Sequence, residues 1–285
     1  MTYLLVSDLD GTLLTSARTV GERTAAVLNR FIAAGGLFSV ATARMAYGCD
    51  RLLAPIDLNL PGVVMNGAAL YDFATNTYLD VRPIPGDAVA AATLAIAEAG
   101  VGAFVYGVRD GLLRLGHARP EDLAWTQYNS DRAREALPPF ELLGFDNWQR
   151  LGEIVYLAVV GGDQDLARTV AALDGVAGLA AHPYRNIYSG HDCLEYSSPD
   201  AGKEAAVLRL KQLVGADELV VFGDNRNDLG MMRLADRSLA PQGSVPEALA
   251  VADEIIASNE DDGVGRAVEA HWEAWVPVGG HQIHD

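Results

Sequence analysis

Two carboxylates stand one residue apart directly after the first apolar run of the chain. The run 3–6 predicts a buried strand, and it leads into Asp8 and Asp10, followed by a turn at Gly11. Two acids at the end of a buried strand are costly unless a cation or a reaction needs them. An isolated pair of this kind can also be two solvated acids in a turn at the end of a strand. The choice between a site and a turn therefore depends on the other residues of the chain.

Polar side chains also follow three further predicted strands. Thr42, Asn66 and Asp224 each stand within two residues of the end of an apolar run. In open parallel sheets the ligand crevice lies beyond the carboxyl ends of the strands. We therefore expect these three groups to converge with Asp8 and Asp10 at one edge of a sheet.

The residue types at these positions fit phosphoryl transfer, which needs a nucleophile, a proton donor and positive charge on the phosphoryl oxygens. Mg²⁺ prefers oxygen ligands, which Asp8, Asp224 and the backbone carbonyl of Asp10 can supply. Lys203 can reach a phosphate as a point charge, and Thr42 offers a hydroxyl donor. The pattern therefore predicts a phosphate and metal site.

Three further features support this prediction. Asp228 lies four residues beyond Asp224, at the start of a predicted helix, where it can hydrogen-bond metal-bound water. Backbone amides of residues 9–12 can form an anion-binding nest. Lys203 and Lys211 are the two lysines among 21 basic residues. Because arginine stands at all the other basic positions, each lysine is a candidate for a specific role.

The order of the predicted elements separates a core from an insert. Over the first 68 residues it is β-α-β-α-β, which predicts a parallel, doubly wound sheet. From about residue 78 hairpins mix with helices, and at Gly202 the first pattern returns. We predict an α/β fold, with a discontinuous Rossmann-like core from residues 1–82 and 189–285 and an inserted α+β cap over 83–188.

The apolar periodicity places the individual elements as follows. Extended segments are predicted at 3–6, 37–41, 62–65, 78–82, 102–108, 112–115, 154–160, 186–189, 193–197, 218–222, 237–240 and 255–256. Helices are predicted at 24–34, 51–53, 87–99, 121–128, 165–173, 203–213, 228–234, 245–251 and 264–275.

Composition narrows the function further. The formal net charge of −17 argues against a nucleic-acid or anionic-membrane surface, because both need clustered Lys and Arg. No apolar run approaches the roughly 20 residues that span a bilayer. No basic leader precedes the first apolar run, so we expect no secretory signal and a cytoplasmic enzyme. The sequence does not indicate an oligomeric state.

The chain resembles the phosphatases of the haloacid dehalogenase (HAD) superfamily, in particular their Cof-like subclass IIB. Six stretches carry the resemblance, occur in family order and cover nearly the whole chain: Asp8-Leu9-Asp10-Gly11-Thr12, Thr42-Ala43-Arg44, Asn66-Gly67-Ala68, Gly202-Lys203, Gly223-Asp224-Asn225-Arg226-Asn227-Asp228 and Asp261-Asp262-Gly263-Val264. The family usually has glycine where Ala43 stands. The extra methyl group tightens that loop without removing the Thr42 hydroxyl.

The resemblance implies a role for each matching residue. Asp8 would attack phosphorus and become an aspartyl phosphate. Asp10 would protonate the leaving alcohol and then activate water. Thr42 and Lys203 would hold the phosphoryl oxygens, and Asn227 would contact the phosphate or the surroundings of the metal.

The resemblance also implies a Mg²⁺ site. Asp8, Asp224 and the Asp10 carbonyl would bind the ion, and Asp228 would steady it from outside. Asn66 is either a support residue or a turn cap. The insert would be the mobile cap of the family, which excludes water and contacts the leaving group.

Three functions are compatible with these residues. The first is a Mg²⁺-dependent phosphatase acting on a small phosphorylated metabolite, such as a sugar phosphate. The second is a phosphomutase or phosphotransferase, which needs a specific acceptor in place of water. The third is a non-catalytic signalling module phosphorylated on Asp8. Receiver domains of that kind are shorter and lack both the insert and the second acid.

Several of these residues also have purely structural interpretations. Lys203 can be an exposed residue in the first turn of a helix, where the helix dipole disfavours a cation. Asp224 and Asp228 can be helix caps. Arg44 can be a solvated helix residue or a substrate contact.

Overall fold

A computed structural model of the chain describes residues 1–125, 140–160, 163–185 and 192–277. The chain forms two compact units. Unit 1 comprises Met1–Asn76 and Gly202–Asp285, and unit 2 comprises Thr77–Ala201. None of the described helices is long and apolar enough to cross a membrane.

The described helices and strands are numbered in chain order. The helices are α1 Glu22–Ala33, α2 Cys49–Leu53, α3 Gly86–Ala99, α4 Asp163–Leu173, α5 Lys203–Val214, α6 Leu229–Leu234, α7 Pro246–Val251, α8 Gly263–Ala270 and α9 Trp272–Trp275. The strands are β1 Tyr3–Ser7, β2 Leu37–Val40, β3 Gly62–Val64, β4 Ala69–Asp72, β5 Thr77–Leu79, β6 Gly102–Arg109, β7 Leu112–His117, β8 Phe140–Leu142, β9 Glu153–Val160, β10 Ala180–Arg185, β11 Asp192–Ser197, β12 Glu218–Phe222, β13 Arg237–Pro241 and β14 Glu254–Ile256.

Unit 1 is built on a five-stranded sheet in the order β14-β13-β12-β1-β2. All four strand pairs are parallel, which confirms the predicted doubly wound α/β core. The last residue of β1 lies in register with the last residue of β12, so Ser7 faces Phe222, and the Asp8 amide donates to the Phe222 carbonyl at 2.9 Å. This register brings Asp8 to the same sheet edge as Asp224, although 216 residues separate them.

Strand β1 is buried on both faces because helices cover both sides of the sheet. Leu4 and Val6 pack with the apolar residues of α5, α6 and α7. Leu5 points to the opposite face and packs with α1 and α8. This two-sided burial explains why the strand is a continuous apolar run rather than an alternating one.

Helix α1 covers the face of the sheet to which Leu5 points. Its residues Ala25, Leu28 and Phe31 recur at helical spacing and are buried against the sheet. The helix ends where Gly35 takes a φ of +87°, a conformation that glycine reaches without steric cost.

Unit 2 has a separate core under a six-stranded sheet in the order β10-β11-β9-β6-β7-β8. The pairs are antiparallel, except that β7 and β8 run parallel. The residues of α3 and α4 that join this core include Ala92, Ile96 and Leu166, so both helices cover one face of the sheet. The hairpin of β6 and β7 confirms the hairpin predicted around residues 109–111.

The structure differs from the predicted division of the chain. The unit boundaries fall at 76/77 and 201/202, whereas the sequence placed them at 82/83 and 188/189. Strand β11 pairs with β9 and therefore belongs to the sheet of unit 2. At the other end, the amide of Tyr78 in β5 donates to the carbonyl of Gly111, within the same unit.

Some elements also differ from their predicted form. Strand β11 is also antiparallel to β10, a strand that the sequence did not indicate because His182 and Pro183 interrupt its apolar pattern. The strand predicted at 186–189 lies outside the described residues. The predicted helix 264–275 is two helices, since His271 between them departs from helical geometry with φ −105° and ψ 14°.

The burial of helix residues against the sheet predicts that alanine substitutions at two leucines of unit 1 differ greatly in their effect on stability. Leu28 is fully buried in α1, whereas Leu208 in α5 is 40% exposed. Leu28→Ala should destabilise the protein by about 2–5 kcal/mol, because it leaves a cavity under the sheet. Leu208→Ala should change stability by about 0.5 kcal/mol or less. Urea unfolding measures both, and similar midpoints for the two variants would contradict this account of the core.

Candidate active site

A fully buried ammonium group joins the two halves of unit 1. The Lys203 Nζ donates to Asp8 Oδ1 at 2.5 Å and to Asp228 Oδ1 at 2.7 Å. The Lys203 side chain is 1% exposed, although it belongs to the first turn of α5, where the helix dipole disfavours a cation. The alternative of an exposed helix residue is therefore wrong, and the two carboxylates compensate the charge.

The negative charge of the carboxylates around this ammonium group is larger than its single positive charge. Asp8, Asp224 and Asp228 each place an oxygen within 4.8 Å of the others. Three ionised carboxylates and one ammonium group leave two negative charges in a largely buried site. Such a site is costly without a further cation.

The pKa values of the site reflect burial first and this excess of negative charge second. Burial raises the pKa of Asp8 well above its ordinary value, and the charges of Asp228 and Asp224 raise it further against the opposing effect of Lys203. Burial also raises the pKa of Asp224 to about 6. Burial opposes the charge of Lys203, but the neighbouring Asp228 and Asp8 outweigh it, so the pKa of this lysine is raised.

The donor set fits a hard divalent cation. Carboxylate oxygens are the ligands that Mg²⁺ prefers, and a charge of +2 would balance the excess on this cluster. Asp228 has less freedom to bind an ion directly than Asp8 or Asp224. Its Oδ1 accepts from Lys203, and its Oδ2 accepts from the amides of Asp224 at 3.1 Å and Asn225 at 3.0 Å.

Asp228 does not act as the N-cap considered from the sequence, since its side chain makes no capping hydrogen bond to α6. It closes a capping box with Asn225 at the Arg226–Asp228 turn, and it holds Lys203 by an ion pair. The same carboxylate fixes the backbone of Asp224 through a hydrogen bond. One carboxylate thus takes part in both the capping box and the ion cluster.

The sequence did not assign a role to Thr12, which holds Asp224. The buried Thr12 hydroxyl donates to Asp224 Oδ1 at 2.7 Å. Between Asp10 and Thr12, Gly11 has a φ of +88°, and a Cβ there would collide with the Asp224 carboxylate. The position of Thr12 directly after Asp10 and Gly11 was the only indication of its role in the sequence. Its partner could not be predicted, because Asp224 lies 212 residues away.

Asp10 has a different partner from Asp8. Both of its oxygens accept from the Arg44 guanidinium at 2.6 Å, which is a bidentate ion pair. The side chains are partly exposed, 50% for Asp10 and 30% for Arg44. The two neighbouring acids thus lie in different surroundings, Asp8 beside a buried ammonium and Asp10 beside a partly exposed guanidinium.

The remaining predicted residues lie on the loops around this cluster. The buried Thr42 accepts a hydrogen bond from the Arg44 amide on its hydroxyl at 3.1 Å. Asn227 is exposed, and its Nδ2 donates to Asn66 Oδ1 at 3.3 Å. The structure thus joins Asp8, Asp224, Asp228 and Lys203 in one cluster, whereas Asp10 pairs with Arg44 and Asn227 with Asn66.

The raised pKa of Asp224 predicts how stability depends on pH in EDTA. Because this pKa is about 6 in the folded state and ordinarily 3.8, the fold binds the proton more tightly than the unfolded chain. The ionised group therefore destabilises the fold above pH 6, by on the order of 3 kcal/mol, and this effect disappears below pH 4. Asp224→Asn should raise the melting temperature at pH 7.5 and leave it unchanged near pH 4.

Two features of this experiment make it specific. Asparagine can still accept the hydrogen bond from Thr12. Asp110→Asn is the matched control, because the Asp110 side chain is 86% exposed and should show no such difference. Equal melting temperatures of wild type and Asp224→Asn at pH 7.5 would contradict the inference that the ionised Asp224 carboxylate destabilises the fold.

Comparison with known proteins identifies the family. A family model described as haloacid dehalogenase-like hydrolase matches residues 5–268. HMP-PP phosphatase of Cronobacter sakazakii is 28% identical over 260 residues, with 88% of each chain covered. The pyridoxal phosphate phosphatase YbhA of Escherichia coli is 23% identical over 280 residues, covering 95% of this chain and 98% of YbhA.

A solved structure agrees with this relationship. The HAD subclass IIB sugar phosphatase BT4131 has 17% sequence identity and a TM-score of 0.71, covering 95% of this chain and 99% of its own. At this identity the likeness shows a common fold. The family predicted from the sequence motifs is therefore confirmed: the chain belongs to the haloacid dehalogenase-like hydrolases and is a phosphoric monoester hydrolase.

Proposed function

We propose that this protein is a Mg²⁺-dependent phosphatase that hydrolyses a small phosphorylated metabolite through an aspartyl phosphate on Asp8. The observation that carries the proposal is the buried cluster in which Lys203 bridges Asp8 and Asp228 beside Asp224. The names of two relatives support the substrate class, since one is a pyridoxal phosphate phosphatase and the other an HMP-PP phosphatase.

Asp8, Asp224 and the backbone carbonyl of Asp10 would hold the metal ion. When bound, Mg²⁺ would neutralise negative charge on the phosphoryl oxygens and on the two carboxylates. Thr12 keeps Asp224 oriented, and Asp228 keeps the backbone of Asp224 in place. The need for a cation here is supported by the raised pKa values of Asp8 and Asp224, whose first cause is burial.

In this proposal Asp8 acts as the nucleophile. Its carboxylate forms a bond to phosphorus while the bond from phosphorus to the leaving oxygen breaks, and the leaving alcohol takes a proton from Asp10. Water then attacks the phosphorus of the aspartyl phosphate and gives a proton to Asp10. The bond between phosphorus and the Asp8 oxygen breaks, which releases inorganic phosphate and restores both acids.

Lys203, Thr42 and Asn227 would contact the phosphoryl group. Lys203 supplies a fixed positive charge beside the carboxylate of Asp8. Thr42 and Asn227 supply neutral donors on the neighbouring loops. Such donors stabilise charge that develops in the transition state without adding net charge to the site.

The ion pair of Asp10 with Arg44 orients the acid/base group. Two hydrogen bonds of 2.6 Å fix the plane of the carboxylate. Because both oxygens are engaged, Asp10 has to release one of them before it can transfer a proton to a leaving alcohol. Arg44 thus acts on catalysis through Asp10 in this proposal.

We assign substrate selection to unit 2. One face of its sheet carries core residues of β9 and β11, and strand alternation places Tyr156, Glu195 and Ser197 on the other face. The Tyr156 hydroxyl donates to Glu195 at 3.0 Å, and the His182 ring contacts the Ser197 hydroxyl at 2.8 Å. Aromatic and polar groups of this kind suit the organic part of a phosphorylated metabolite.

The main test of the function is the hydrolysis of an aryl phosphate with and without Mg²⁺. The wild type should release inorganic phosphate steadily, and EDTA should suppress the reaction. Asp8→Asn should abolish it, because an amide is a poor nucleophile, and should also abolish formation of a base-labile phosphoenzyme. Asp110→Asn, an exposed acid in unit 2, is the matched control and should retain full activity.

Each unexpected outcome of this test would contradict a different part of the proposal. Activity retained in Asp8→Asn would remove Asp8 as the nucleophile. Phosphate release that requires an added acceptor would favour a phosphomutase or phosphotransferase over a phosphatase. Circular dichroism of Asp8→Asn should show an intact fold, so that a loss of activity reports on chemistry.

A separate prediction concerns Asp10. Asp10→Asn should slow hydrolysis by roughly 10² to 10⁴, the usual contribution of general acid–base catalysis. The loss should be smaller for an aryl phosphate with a good leaving group, which needs less protonation, than for an alkyl phosphate. Steady-state rates on both substrates measure this, and a loss below about tenfold on the alkyl ester would contradict the acid/base role.

A further inference from the structure

Three consecutive residues after strand β3 adopt the left-handed backbone conformation. Met65 has a φ of +53°, Asn66 of +52° and Gly67 of +93°. Only glycine enters this region without a steric cost from Cβ, so two other residues in succession are exceptional. Backbone of this kind persists only where surrounding contacts hold it, and it concentrates at functional sites. Its contacts therefore show what the turn is for.

On one side the turn holds the loop that follows β2. The Met65 amide donates to the Arg44 carbonyl at 2.9 Å, and the Asn66 amide donates to the Thr42 carbonyl at 3.0 Å. These bonds fix the backbone between Thr42 and Arg44. That loop carries the Thr42 hydroxyl and the guanidinium that binds Asp10.

On the other side the turn supports the start of α5. A Cβ on Gly67 would overlap the Gly202 carbonyl and lie 2.9 Å from the Gly202 nitrogen. The Gly67 carbonyl also accepts from the Arg209 guanidinium of α5 at 3.1 Å. Because Gly202 directly precedes Lys203, a displacement at this contact would move the buried ammonium.

The side chain of Asn66 reaches a third part of the site. Its Oδ1 accepts from the Nδ2 of Asn227, on the turn that ends in Asp228. The left-handed conformation lets Asn66 bond to Thr42 through its backbone amide and to Asn227 through its side chain.

We propose that the turn 65–67 is the positioning element of the phosphate site and that Asn66 is the positioning residue of Asn227. The proposal rests on the proposed function, because it takes Asn227, Thr42 and Lys203 as the phosphate contacts. Asn66 does not touch the phosphoryl group. It fixes the amide of Asn227, so that the donor of Asn227 is oriented before the substrate arrives.

The decisive variant is Asn66→Gly, because glycine keeps the left-handed backbone and removes only the side chain. It should raise KM for an aryl phosphate and the inhibition constant for inorganic phosphate by about three- to tenfold, the loss expected for one hydrogen bond. The kcat should change much less. Asn66→Ala keeps the Cβ in this conformation but loses the polar side chain that makes it tolerable for asparagine, so it should also lower kcat, because the Thr42 loop moves.

Asn76→Gly is the matched control. Asn76 also belongs to unit 1, has a φ of +57° and accepts a hydrogen bond on its side chain, from the Tyr71 hydroxyl. Its replacement should leave KM and phosphate inhibition unchanged. A general effect of inserting glycine at a left-handed position would appear in both variants and would overturn the proposal.

A double-mutant cycle with Asn227→Ala tests the route of the effect. If Asn66 acts through Asn227, the double variant should bind phosphate no more weakly than Asn227→Ala alone. Additive losses, or an Asn66→Gly variant with normal KM and normal phosphate inhibition, would overturn the positioning role. Phosphate binding is also measured by calorimetry, so a wild type without hydrolytic activity would refute the proposed function without deciding the role of Asn66.

Discussion

The structure of unit 1 depends on the buried ammonium of Lys203 between Asp8 and Asp228. Removing such charges from water costs several kcal/mol for each ion, and only close geometry with further hydrogen bonds offsets the cost. The ends of β1 and β12 and the start of α5 must therefore meet within hydrogen-bond distance. The parallel register of β1 with β12 and the contact of Gly67 with Gly202 satisfy this requirement.

The same ion cluster gives different surroundings to two acids that are separated by a single residue. Asp8 is 7% exposed and bonded to an ammonium inside a cluster of carboxylates, so burial and like charge act on it together. Asp10 leaves the cluster and pairs with Arg44 at a partly exposed position. Placing two carboxylates in contrasting surroundings is the usual way to give them separate roles in acid–base and nucleophilic catalysis.

The sequence predicted the strand ends well because buried parallel strands leave a clear apolar signal. Knowing that such ends share one edge was enough to bring Asp8 and Asp224 together, whereas Lys203, at the start of a helix, was assigned to the site by the resemblance to the family. It did not predict the bonds of Thr12 to Asp224 or of Arg44 to Asp10, since partners 212 and 34 residues apart leave no local pattern. The unit boundaries were misplaced for a similar reason, because they depend on which strands pair.

The turn 65–67 shows the limit of periodicity most clearly. Met65 continues the apolar run and was therefore predicted as the last residue of a strand, yet it takes a left-handed conformation. The local preference of Met65 is overridden by bonds to the loop after β2 and by close packing against Gly202. A residue that breaks a local rule in this way marks a place where several loops fix one another.

The division of the chain confines this constraint to unit 1. Every residue of the ion cluster and its supporting turns belongs to unit 1, which has its own apolar cores on both faces of the sheet. Unit 2 has a separate core beneath its own sheet. A substitution in the core of unit 2 therefore acts on a different set of apolar contacts from those that hold the ion cluster. An insert placed between Asn76 and Gly202 thus leaves the contacts of the ion cluster intact.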